Sequence, residues 1–234
     1  MIAEVENKGK WETINSEDEL TGNFFGNLRY LPFNKGLKRI LIGTNPPELG
    51  KTFDRIDIED WADCIHFWKR ENEVEPDVLI EFDNTVILIE VKYNSGLSSP
   101  DQLVKYGKLL SNFSGERKKI LILLALEGNA RRIYDEFVEI NKAKDLKFGY
   151  ITWQKAFDIL TNINGLSIYE SVIVNDLVKL LNKKGFGGFR NFDVSRNTID
   201  KTEMWTFDCL DNATNEFSFI LERSVERNLY YEFG

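Results

Sequence analysis

Two apolar runs lie close together near the middle of the chain. Residues 78–80 read Val-Leu-Ile and residues 86–89 read Val-Ile-Leu-Ile. Runs this rich in Val and Ile predict adjacent strands. Between them sits a turn-like cluster, Glu81-Phe82-Asp83-Asn84-Thr85. With Asp83-Asn84 as a two-residue turn, Phe82 pairs with Thr85 and the register is fixed. Counting back along that ladder puts Asp77 opposite Glu90. Along the second run, Val86, Leu88, Glu90 and Lys92 share one face, and Ile87, Ile89, Val91 and Tyr93 share the other. A strand apolar on both faces is buried, yet this one ends in two charges.

The same patterning predicts the remaining elements. A first helix covers about residues 16–30, with Leu20, Phe24, Leu28 and Leu31 as its apolar stripe. Residues 35–42 form a short apolar element of open type. Residues 43–60 hold Pro46-Pro47 and many charges and read as a loop long enough to touch substrate. Strands are expected near 65–70, 77–82 and 86–93, then a helix near 100–113. Residues 119–126, KILILLAL, read as a buried strand beside the hairpin. Residues 129–142 predict a helix, 148–152 a strand, and 153–162 and 167–183 two further helices. Gly185-Phe186-Gly187-Gly188 ends the last of these and forms a candidate hinge. In the tail, 204–210 and 217–221 alternate as strands do. The fold class is therefore α/β: a central mixed sheet flanked by helices, with a C-terminal α+β extension. The expected division is a core over 1–150 and an extension over 151–234 that packs on it and carries substrate or dimer contacts.

The chemistry sits at the end of the hairpin. Directly opposed residues have Cβ atoms roughly 4.5–5.5 Å apart, where like charges repel. Asp77 and Glu90 so placed want a cation between them. Mg²⁺ takes oxygen ligands and is usually held by one or two carboxylates plus substrate phosphates. Such a metal activates water for displacement at phosphorus, and an ammonium such as Lys92 can orient that water or stabilise charge on the phosphate. The competing reading is a hairpin with charged ends in which Lys92 is simply an ion-pair partner of Glu90. Burial of the strand favours metal, because buried charges are paired or bind metal.

Pro76-Asp77 followed by Glu90-Val91-Lys92 resembles the signature of the PD-(D/E)XK nuclease superfamily, the restriction endonuclease-like group. Gln102-Leu103-Val104-Lys105-Tyr106 matches the Q-x-x-x-Y element of some of its branches. The resemblance covers about residues 14–126. It implies a restriction endonuclease-like core and a metal site of Asp77, Glu90 and Val91 holding Mg²⁺ or Mn²⁺. It further implies that Lys92 assists the nucleophile and that Gln102 and Tyr106 shape the site near the phosphate. A structural reading of the last two stands beside this. Ser99-Pro100-Asp101-Gln102 fits a capping box with Gln102 at N3, and Tyr106 shares an apolar face with Leu103, Leu110 and Phe113. The family often adds an acid on the first helix. Ser16 to Glu19 reads as a capping box, which makes Glu19 structural, whereas Glu17 lies in line with the apolar stripe. Glu17 is therefore the candidate, with favourable placement at the helix N-terminus as its alternative.

Composition sets limits on this reading. The chain has 234 residues, 42% hydrophobic, with 17 Phe, enough for one domain with a good core. No run is long or apolar enough for a membrane span, and Met1 to Glu6 lacks the pattern of a signal peptide. Cys64 and Cys209 stand far apart, as expected of reduced thiols in a cytoplasmic protein. The sole histidine, His66, is expected packed in a strand, and zinc is disfavoured. The net charge of −8 is unusual for a nucleic-acid enzyme. Its distribution is uneven: residues 1–100 sum to −8, 101–190 to +5 and 191–234 to −5. The basic stretches, Arg117-Lys118-Lys119 and Arg131-Arg132 among them, are expected mainly on solvated faces.

Taken together, the expected activity is a metal-dependent nuclease acting on DNA, an endonuclease of restriction or defence type. The alternatives are an exonuclease or junction resolvase, for which a homodimer with two sites would be apt, and a catalytically silent nuclease-fold binding module. No membrane partner is expected.

Overall fold

The computed structural model describes residues 17–71, 74–93, 97, 101–113, 115–140 and 146–187. In chain order its elements are α1 (Glu17–Leu28), α2 (Leu37–Ile42), α3 (Pro47–Asp54), β1 (Ile65–Phe67), β2 (Val78–Phe82), β3 (Thr85–Val91), α4 (Gln102–Asn112), β4 (Lys118–Ala125), α5 (Glu127–Ile140), β5 (Lys147–Thr152), α6 (Trp153–Thr161) and α7 (Ile168–Lys183). The strands form a mixed sheet in the order β1-β2-β3-β4-β5. β1, β2 and β3 run antiparallel, and β3, β4 and β5 run parallel. The hairpin register is Phe82 to Thr85 through Val78 to Ile89, as the two-residue turn dictates.

Alternation along the strands splits the core into two layers. Val78, Ile80, Ile87, Ile89, Val91, Ile120, Ile122 and Leu124 face α1, α2, α3, α6 and α7. Leu79, Val86, Leu88, Leu121, Leu123 and Phe148 face α4 and α5. Every residue of β3 is buried, which follows from helices on both faces. The molecule is thus an α/β protein with a central mixed sheet between helical layers. The line at residue 150 runs through β5, and α6 and α7 beyond it contribute Trp153, Leu160, Leu177 and Leu181 to the first layer. All the described residues fall in one unit, residues 1–190.

Three expectations are corrected. Residues 43–60 are not all loop, because α3 occupies Pro47–Asp54 with Leu49, Gly50 and Phe53 buried. Its two prolines start the helix, Pro47 standing in the first turn where a missing N–H costs nothing. Gly50 lets α3 lie close to α2, since a Cβ there would strike the Ile42 carbonyl. The strand expected over 65–70 stops at Phe67. Trp68 takes a positive φ of 47°, a conformation uncommon for a bulky residue, and breaks the strand. His66, on that short edge strand, is not packed: its side chain is 38% exposed and its Nε2 lies 3.7 Å from Glu81. The type of residues 35–42 is resolved as helix. The caps expected at Ser16 and Ser99, and the tail strands over 204–210 and 217–221, lie outside the described residues. Among the described residues, no helix is long and apolar enough to cross a membrane.

Candidate active site

The site lies at the carboxyl end of β3, where the parallel half of the sheet opens. Ligand crevices in open α/β sheets lie outside the carboxyl ends of strands. One step beyond the last ladder pair, Val78 to Ile89, the strands bring Asp77 across from Glu90. Asp77 Oδ2 accepts a 2.7 Å hydrogen bond from the Val91 N–H. Its own carbonyl accepts the Trp68 N–H at 3.3 Å, so its backbone is held from the β1 side as well.

Glu90 is 1% exposed and Lys92 is 4% exposed. Lys92 Nζ lies 2.7 Å from Glu90 Oε1 and 2.8 Å from Glu17 Oε1. Glu17 also accepts the Tyr93 N–H, through Oε2 at 2.9 Å. The start of α1 is therefore tied to the end of β3 by two bonds. Lys92 sits just past the end of the strand, so it can take one partner from its own strand and one from the helical layer behind the sheet. Trp153 fixes it from below, donating its indole N–H to the Lys92 carbonyl at 3.0 Å.

From the other layer, α4 contributes Gln102 and Tyr106. Gln102 Nε2 donates to Glu90 Oε1 at 2.7 Å and lies 3.0 Å from the Tyr106 hydroxyl. Tyr106 donates to the Glu75 carbonyl at 3.4 Å. Gln102 is the first residue of α4, with Asp101 at the N-cap. Its side-chain N–H groups reach Glu90 and the Tyr106 hydroxyl, while Ser99 of the expected capping box lies outside the described residues. Tyr106 is both: its ring is buried in the second core layer and its hydroxyl reaches the site.

The electrostatics follow from this crowding. Burial, and then the charge of Glu90, push Asp77 up to about 8. Burial pulls the Lys92 ammonium down, but Glu90 and Glu17 more than reverse it and hold its pKa above the ordinary value. Burial and the charge of Glu90 raise the Tyr106 phenol. Glu90 Oε2 is buried without a hydrogen-bond partner. A buried carboxylate oxygen in that state carries a desolvation penalty unless another group completes it. Together with Asp77, that oxygen fits the oxygen-only demand of Mg²⁺ or Mn²⁺. Among the described residues no group of three or more His, Cys, Asp or Glu is gathered for a metal, so the protein would supply two acids and substrate phosphates would supply more.

Every side chain proposed from the sequence, Glu17, Asp77, Glu90, Lys92, Gln102 and Tyr106, is brought to this one end of the sheet. Sequence reasoning missed Trp153 and the carbonyl of Glu75. Neither carries a signal in the sequence, since the first acts on a backbone oxygen and the second is one. The basic pairs behave as solvated faces: Arg131 and Arg132 pair with Asp135 and Glu136 on exposed α5. In comparisons with known proteins, no family model matches the chain and no curated protein matches it.

Proposed function

We propose that this chain is a Mg²⁺- or Mn²⁺-dependent nuclease that hydrolyses phosphodiester bonds in DNA, an endonuclease of restriction or defence type. The observation that carries the reading is the buried Glu90 Oε2 without a hydrogen-bond partner, on a carboxylate whose charge raises Asp77 across the hairpin and whose Oε1 lies 2.7 Å from the buried Lys92 Nζ. Asp77, Glu90 and the Val91 carbonyl are the groups that would hold the metal. When bound, the metal would supply a polarised water and neutralise charge on the phosphate. Lys92, kept charged by Glu90 and Glu17, would orient that water or stabilise the phosphate oxygens. Gln102 fixes the Glu90 carboxylate, and Tyr106 supports Gln102. Trp153 and Glu17 hold the Lys92 segment in place.

A second reading is a silent nuclease-fold module that binds nucleic acid or a protein. It is favoured by one feature, the double ion pair that engages Lys92 in a site with only two acids facing each other. The discriminating experiment is cleavage of supercoiled, linear and single-stranded DNA with Mg²⁺, Mn²⁺ or EDTA, by wild type, Asp77→Asn and Lys92→Gln. Metal-dependent cutting lost in both variants supports the nuclease, and the preferred substrate separates endonuclease from exonuclease or resolvase. No cutting, together with no Mn²⁺ binding by calorimetry, supports the silent module.

A further inference from the structure

A second concavity is lined by residues of α2, α3 and α6. It is a cleft of about 690 Å³ between α2, α3 and the α6 helix with its following turn. That volume is in the range of small-molecule sites, about 300–1,000 Å³. Its walls carry Lys35 and Arg39, Lys51 of α3 and Lys155 of α6, with Asn162 and Asn164 at one end. No carboxylate lines it among the described residues. Lys35 is engaged by Glu170 at 2.9 Å. Arg39, Lys51 and Lys155 are exposed, and among the described residues no carboxylate lies within ion-pair distance of them. A chain of net charge −8 thus gathers three cations, drawn from three separate helices and without an ion-pair partner among the described residues, around one hollow. Thr44, 2% exposed, also lines the cleft, and its buried hydroxyl has no hydrogen-bond partner. Cations, amides and an unsatisfied hydroxyl together are what a phosphate group takes.

We propose that this cleft binds a phosphate-bearing ligand of about nucleotide size. The phosphate would come either from a free nucleotide or from one nucleotide of a nucleic-acid strand. In the second case the proposal extends the nuclease reading, because α6 begins beside the catalytic end of β3. Trp153 of its first turn bonds Lys92, and Lys155, two residues on, faces the cleft. A strand could then be held at both places.

Two titrations in EDTA test it, so that cleavage does not enter. One uses deoxyadenosine monophosphate by calorimetry. The other uses a labelled single strand of roughly 12 nucleotides by fluorescence anisotropy. Arg39→Ala/Lys155→Ala and, from a different wall, Lys51→Glu should each weaken binding at least tenfold. The double variant should also flatten the salt dependence of strand binding, by about 0.7 in log–log slope per lost phosphate contact. Arg131→Ala/Arg132→Ala, which removes two exposed cations elsewhere, should change neither. Response of the strand alone places the phosphate in nucleic acid, and response of the mononucleotide as well places it in a free nucleotide. No binding by wild type, equal binding by the cleft variants, or an equal loss in the α5 control would each overturn the proposal. None of these outcomes depends on whether the chain cuts DNA.

Discussion

Asp77 and Glu90 show how two ordinary residues become unusual by position. Each alone is a common surface acid; opposed at the end of a buried hairpin, one of them is forced toward its neutral form. The sign of the resulting pH dependence is fixed. For an acid raised from 3.8 to about 8, the stability contribution is intact below 3.8 and is lost as pH climbs toward 8. In EDTA, the thermal midpoint of wild type should therefore decline across that window more steeply than that of Asp77→Asn, measured by calorimetry in a pH series. Equal slopes would show that Asp77 is not the group that titrates there. Lys92 is held from two sides, so Lys92→Ala strands two carboxylates. Loss of one partner from a buried pair costs about 3–5 kcal/mol, and urea unfolding should show a loss of that order. Adding Glu90→Gln should recover part of it. Gln102→Ala removes a hydrogen bond to a buried carboxylate, so it should cost about 1.5–3 kcal/mol in urea unfolding and weaken Mn²⁺ binding about 10–100-fold, as loss of a group orienting a ligand does. Asp77, Glu90 and Lys92 were legible because a two-residue turn and strand alternation convert sequence spacing into geometry, whereas Gln102 and Tyr106 rest on the motif resemblance and Glu17 on that resemblance together with the apolar stripe of the first helix. Trp153 was not legible, because its partner is a backbone carbonyl 61 residues away.

At the scale of elements, the strands and helices with clear periodicity stand where the pattern puts them. The hairpin, β4 and α7 are examples, the last closed at its start by a capping box between Ser167 and Glu170. What the pattern hid is α3. Its eight residues make barely two turns, and the prolines at its N-cap and first position, with three charged residues, mask the Leu49–Phe53 spacing that buries it. The site depends on α6 beginning in the right place. Thr152 caps it, its hydroxyl accepting the Lys155 N–H at 3.1 Å. Thr152→Ala should cost about 1 kcal/mol, seen as a lower urea midpoint with an unchanged slope. A wild-type midpoint would mean that packing of Trp153 alone holds the helix start.

For the whole molecule, metal binding should register as stability, because a ligand that binds only the folded state stabilises it by mass action. Mn²⁺ at about 100 times its Kd should add about 2.7 kcal/mol to wild type and nothing to Asp77→Asn/Glu90→Gln, read as a shift in Tm. The cationic cleft was invisible in the sequence since Arg39, Lys51 and Lys155 are dispersed along it and meet only through the fold. The outer border of the sheet bears on a different property. Along β5, Asn45 exchanges two backbone hydrogen bonds with Tyr150, at 2.7 and 2.8 Å, and so occupies groups that would otherwise face outward. It can lie that close because position 149 is Gly, where a Cβ would come within 2.6 Å of the Asn45 carbonyl. An uncovered strand border is a template for the same strand of another copy. Gly149→Val would push the 44–49 segment away and leave β5 unguarded, so light scattering on warming should rise before the protein unfolds. Gly149 thus protects the chain from its own neighbours, and it does so by the side chain it lacks.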